Sequence, residues 1–237
     1  MPEHLSKQYD LELETIRTRV LQMGGLVEQQ IRAAMDALQD GDVVRLERVI
    51  ADDTKVNALE VQIDDDCQHI IVRRQPAASD LRMVVAVIKT ITDLERIGDE
   101  AQKIARVGRD LCQGSRLPAP RFREVSKLAE TAIAMLHRAL DAFARLDPTA
   151  AVELAEQDLL LDQDYASEMR AQITFMMEDP RTISTSIDTL FLCKAIERIG
   201  DHAKNISEYV VYLVKGKDIR HTSLEEKKRE SLGDAAQ

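Results

Sequence analysis

Tryptophan is absent from this sequence, and aromatic residues make up only 3% of it. Leu, Ile, Val, Ala and Met must therefore fill any core, which suits helix packing better than a β-sandwich. Nine Gly and six Pro in 237 residues leave few tight turns, so long helices are expected. The three cysteines, Cys67, Cys112 and Cys193, are an odd count with no paired spacing, and a reducing cytoplasm is the natural compartment. No charged-then-apolar signal segment precedes "MPEHLSKQYD", and no apolar run approaches the ~18 residues needed to cross a bilayer. Positive charge is in deficit: the formal net charge is −10, which argues against a dedicated nucleic-acid binder. No Walker A loop, dinucleotide fingerprint, nucleophile elbow or H-E-x-x-H helix is present, and no catalytic constellation stands out.

What the chain does have is helical periodicity. Apolar residues recur every three or four positions, and β-branched alternation is nearly absent. Breaks at "LQDGDV" (38–43), "RRQPAASD" (73–80), "CQGSRLPAPR" (112–121), "RLDPTA" (145–150) and "MEDPRTIS" (177–184) carry the residues that cap or end helices. Asp147 before Pro148 reads as an N-cap, and Ser79 or Asp80 as another. The pattern predicts an all-α protein with helices near 8–38, 42–74, 79–112, 121–146, 148–178 and 183–215. Short connectors make successive helices antiparallel. Residues 1–114 and 115–215 then form two three-helix units. Residues 216–237, including the mixed-sign "EEKKRE" stretch, read as a solvated polar tail.

The two units repeat. "LERIGDEAQKI" (94–104) and "IERIGDHAKNI" (196–206) share seven of eleven positions at a constant offset, Glu95 matching Glu197. In each, two carboxylates four residues apart, Glu95 with Asp99 and Glu197 with Asp201, take over an apolar helical stripe. The middle helix of each unit carries another such pair, Glu60 with Asp64 and Asp158 with Asp162. Hairpin lengths place Glu60 and Glu95 both about 21–23 Å from their connector, so each unit can gather four carboxylates on adjacent helices. The units do not match perfectly: Glu60 to Glu95 is 35 residues and Asp158 to Glu197 is 39, a difference of one turn that the longer second connector is expected to absorb.

Four like charges at close range repel unless a cation compensates, and oxygen donors suit a hard or borderline metal ion. A single acidic pair means little among 42 acidic residues, whereas four pairs in register point to a shared metal or ligand face. Gly98 and Gly200 each cost a helix about 1 kcal/mol, which indicates helix packing or close approach at that turn. Arg96 and Arg198 read as surface partners of the acids, Cys193 as a core residue, and His202, Cys67 and Asn205 as packing or surface residues that could extend the polar face. A metal-dependent hydrolase of phosphate esters would use the same carboxylates, but no base or nucleophile accompanies them. A metal-storage or purely structural bundle is the other alternative.

With "SDLRMVVAVIKTITDLERIGDEAQKIAR", "FLCKAIERIGDHAKNISE" and the opening "YDLELETIRTRVLQMGGLVEQQI", the sequence resembles the PhoU family over residues 1 to about 215. The resemblance implies two three-helix bundles related by a pseudo-twofold axis, assembled as a homodimer. It also implies multinuclear metal clusters, of iron or zinc in some members, on the carboxylate faces. By that resemblance the ligands would be Glu60, Asp64, Glu95, Asp99, Asp158, Asp162, Glu197 and Asp201. Asp158 stands where the motif begins with Glu elsewhere. The implied function is that of a non-enzymatic cytoplasmic negative regulator of phosphate uptake and of the phosphate-starvation response. Such a regulator links the phosphate ABC transporter to its sensor histidine kinase, with no membrane span and no nucleic acid involved.

Overall fold

A computed structural model describes residues 3–113 and 122–232, and every regular element among them is helical. The elements are α1 (Glu3–Asp40), α2 (Val43–Arg74), α3 (Ala78–Gln113), α4 (Phe122–Arg145), α5 (Ala150–Glu178), α6 (Ile183–Lys215) and α7 (Leu224–Leu232). Helices α1–α3 pack on one another as one antiparallel bundle and α4–α6 as a second; α3 lies against α6 and α1 against α4, joining the two about a pseudo-twofold axis. The boundary expected between 114 and 115 lies outside the described residues. No described helix is long and apolar enough to cross a membrane.

The three-and-four spacing reports the core directly. On α1, Ile16, Val20, Met23, Val27, Ile31, Ala34 and Leu38 share one face and are all buried. Facing stripes come from Leu46, Val49 and Val56 on α2 and from Val84, Val87, Ile91 and Leu94 on α3. Cys67 and Cys193 are buried in this core, where burial pushes each thiol up to about 12. They are packing residues rather than reactive thiols.

Three local expectations are corrected. Ser79 and Asp80 sit inside the first turn of α3 rather than before it; Asp80 accepts a hydrogen bond from the Tyr9 hydroxyl at 3.1 Å. Asp147 caps a turn ahead of α5, accepting from the Thr149 backbone N–H at 3.0 Å and from its hydroxyl at 2.6 Å, so the helix begins at Ala150. The solvated tail is in fact partly helical. Within α7, Lys227 is buried against Glu208 of α6, and Lys228 reaches Glu156 of α5 at 2.7 Å. Mixed charge there reflects specific ion pairs to the second bundle, which charge counting cannot separate from solvation.

Candidate functional site

The duplicated glycines give the frame. Gly98 and Gly200 lie mid-helix on α3 and α6, each buried against the middle helix of its own bundle. A Cβ on Gly98 would meet Val56 Cγ1 at 3.3 Å, Asp53 Oδ1 at 3.4 Å and Gln30 Oε1 at 3.6 Å. On Gly200 it would meet Leu161 Cδ2 at 2.3 Å and Met135 Sδ at 3.4 Å. Side-chain packing, not a neighbouring backbone, surrounds both glycines, and it is tight enough to exclude a Cβ without movement only at Gly200. The neighbours also align the repeats: Val56 matches Leu161, Gln30 matches Met135 and, at the same spacing on the middle helices, Asp53 matches Asp158.

That alignment corrects the pairing of the middle helices. The counterpart of Asp158 is Asp53, not Glu60; the spacings to the third helix remain unequal, 42 residues from Asp53 to Glu95 and 39 from Asp158 to Glu197. Both residues are buried, Asp53 to 3% exposure and Asp158 to 7%. Both are also held by the residue four positions past the glycine. Gln102 donates to Asp53 Oδ2 at 3.1 Å and to the Ile50 carbonyl at 3.1 Å, while Lys204 donates to Asp158. Asp53 went unnoticed because it sits on the apolar stripe of Leu46, Val49 and Val56; a charged residue interrupting that stripe was the available signal.

On the first face, Glu95 and Asp99 of α3 approach Asp53 and Glu60 of α2, with Asp64 one turn farther along. Burial raises the carboxyl pKa of Asp53, Glu60 and Glu95, and Asp99 adds to the rise in all three; Asp64 adds to it at Glu60. Positive charge acts here without bonding the buried acid: Arg96 lies 3.6 Å from Glu95 and opposes the rise at Glu60 and Glu95, Arg106 opposes it at Asp53, and only the neutral donors Gln102 and Asn57 bond Asp53.

The second face is already compensated. Lys204 Nζ donates to Asp158 and, at 2.9 Å, to Asp201, while Lys194 donates to Glu197 at 2.5 Å. Burial works against the Lys204 charge, but its bonds to Asp158 and Asp201 outweigh that and raise its pKa. Asp158 and Asp162 are raised first by burial, with Lys204 opposing the rise at both. Asp162 is exposed.

Among the described residues no three His, Cys, Asp or Glu side chains come together in a group able to hold a metal ion. The donors fit a cation unequally. At Gly98 an orphaned carboxylate oxygen and a buried amide lie beside further carboxylates, an all-oxygen set suited to a hard ion. At Gly200 an ammonium already bonds Asp158 and Asp201.

The accessory polar residues serve the seam between the bundles. His202 Nδ1 lies 2.6 Å from Asp93 Oδ1, and Asn205 donates to the same oxygen at 3.4 Å. Arg198 crosses to the buried Glu100 at 2.8 Å, so its partner is in the other repeat rather than on its own acidic face. Asp93 and Glu100 were invisible as partners because the pairing spans more than 95 residues.

Two tandem three-helix bundles with carboxylates flanking a repeated mid-helix glycine define a class of all-α protein. The PhoU domain description matches residues 20–107 and 125–210, one match in each bundle. The phosphate-specific transport system accessory protein PhoU homolog of Pseudomonas aeruginosa is 44% identical over 97% of this chain and 95% of its own. The corresponding Escherichia coli K12 protein is 46% identical over 94% and 92%. A crystal structure of PhoU from P. aeruginosa superposes with a TM-score of 0.83 at 43% identity, covering 88% of this chain and 100% of that one. The chain belongs to the PhoU family.

Proposed function

We propose that this chain is a non-enzymatic accessory regulator of phosphate-specific transport, acting in the cytoplasm. It restrains phosphate uptake and the phosphate-starvation response when phosphate is plentiful. It does so as a homodimeric adaptor between the phosphate ABC transporter and its sensor histidine kinase. One observation carries the reading: relatives named as accessory proteins of the phosphate-specific transport system match it across both bundles and over nine-tenths or more of each chain.

Metal ions, iron or zinc by family resemblance, belong to the same proposal. A bound multivalent cation would supply a direct positive partner for Asp53, which only neutral groups bond. Asp53, Glu60, Asp64, Glu95 and Asp99 are the residues available to hold it there. Their own role is to present oxygen atoms from two adjacent helices, so that binding would brace α2 against α3.

The test is alkaline phosphatase activity in phosphate-replete cells. Deletion of this chain should raise activity several-fold, and complementation should silence it. Low activity in the deletion strain, with no paralogue present, would sink the regulator reading.

A further inference from the structure

We propose that cation binding is confined to the first repeat, at a site built around Gly98 by Gln30 and Asp53, and that in the second repeat the Lys204 ammonium takes the cation's place. This rests on the metal-binding part of the proposed function and narrows it.

Gln30 lies on the apolar face of α1 between Val27 and Ala34 and is only 5% exposed, yet neither atom of its amide has a hydrogen-bond partner. Asp53 Oδ1 is likewise buried and without a partner, because Gln102 and Asn57 both bond Oδ2. Leaving such groups unsatisfied in the native state costs about 1–3 kcal/mol each. The two orphaned acceptor oxygens flank the same turn of α3, 3.4 and 3.6 Å from where a Gly98 Cβ would be. A cation ligated by Asp53 Oδ1 and Gln30 Oε1, with Asp99 and Glu95 beside them on α3, satisfies both oxygens at once. An amide oxygen and carboxylates form a hard donor set, which selects Mg2+, Mn2+ or a comparable ion over a thiophilic one.

The second repeat keeps the glycine and the carboxylates Asp158, Glu197 and Asp201 but replaces the residues around them. Met135 stands for Gln30, substituting a thioether for the amide oxygen. Leu161 stands for Val56 and fills the space over Gly200. Lys204 stands for Gln102 and brings a full positive charge, bonded to both Asp158 and Asp201. Lys194 stands for Thr92 and pairs with Glu197. A metal ion entering here would have to displace two ammonium groups from the carboxylates it needs.

The experiment is Mn2+ titration of the chelator-treated full chain, read by electron paramagnetic resonance of free Mn2+ and repeated with Zn2+ by calorimetry. It compares wild type, Asp53→Asn, Gln30→Met and Asp158→Asn. Circular dichroism melts establish that each variant is folded. The proposal expects Asp53→Asn to abolish the tightest binding and Gln30→Met to weaken it about tenfold. Asp158→Asn should bind as wild type does. Equal loss in Asp53→Asn and Asp158→Asn, or loss confined to Asp158→Asn, overturns the confinement while leaving metal binding intact. Failure of wild type to bind either ion overturns the metal reading itself. Neither result touches the regulator reading, which alkaline phosphatase tests separately.

Discussion

The two bundles share a fold and differ in how they balance charge. In the first, a buried aspartate on α2 meets neutral donors and has one oxygen unpartnered; in the second, its counterpart on α5 is bonded by a lysine of α6. The difference extends to their cover. The 38-residue α1 runs past the start of α3, where Glu12 bonds Arg74 through both guanidinium arms at 2.6 and 2.9 Å. The 24-residue α4 is shorter, and Ile187 and Phe191 on α6 remain exposed, while Ile183 and its counterpart Leu81 are exposed alike. Duplication preserved three carboxylate positions, Asp53 with Asp158, Glu95 with Glu197 and Asp99 with Asp201, while Glu60, Asp64 and Asp162 match Tyr165, Met169 and Asn57 and the residues beside them diverged. An acidic motif by itself therefore does not specify a metal site, because the balancing charge can come from the chain.

The largest expected contrast is between residues 102 and 204. Lys204→Met leaves Asp158 buried without its cation and should destabilise by about 3 kcal/mol, near the low end for a broken buried pair because Lys204 keeps some contact with water. Gln102→Met removes neutral hydrogen bonds and should cost about 1 kcal/mol. Denaturant unfolding of both variants measures this, and equal losses would erase the distinction between the faces.

A smaller effect separates the glycines. Gly200→Ala drives a methyl group into Leu161, an overpacking that costs about 1–3 kcal/mol against a helix-propensity gain of about 1 kcal/mol. Gly98→Ala meets only contacts of 3.3 Å and longer, so its cost in melting temperature should be smaller. Its effect should instead appear as weakened Mn2+ affinity.

The smallest effect is a pH dependence. Burial raises the folded-state pKa of Asp53 above its unfolded value, so the folded state binds this proton more tightly. Stability from this group is therefore greatest at low pH and is lost as pH rises through the folded pKa. In chelator, Asp53→Asn should melt higher than wild type at pH 7, with the advantage shrinking as pH falls toward the ordinary carboxylate range. A melting difference that is constant between pH 7 and 5 would mean that Asp53 is not the strained charge.

Most of the architecture was legible in the sequence. Six of the seven helices follow from three-and-four spacing, because each must bury one apolar stripe. The third helices aligned at once, since "ERIGD" recurs without a gap. The middle helices did not, because Glu60 and Asp158 both begin acidic pairs and acids alone carry no register. Burial supplied it: Asp53 and Asp158 occupy core positions, whereas Glu60 lies nearer the surface. Gln30 was unreadable as a site residue because a lone glutamine on a long amphipathic helix has many ordinary explanations. Lys204 was unreadable because its partner Asp158 is on another helix. Long-range pairing, not local pattern, separates the faces.

The most direct measurement is an anomalous difference map from crystals of the full chain grown with Mn2+. A peak beside Gly98, within coordinating distance of Asp53 and Gln30, with none beside Gly200, is the expected result. A peak of equal height at Asp158 and Asp201, with Lys204 turned away, would contradict the inequivalence of the two repeats.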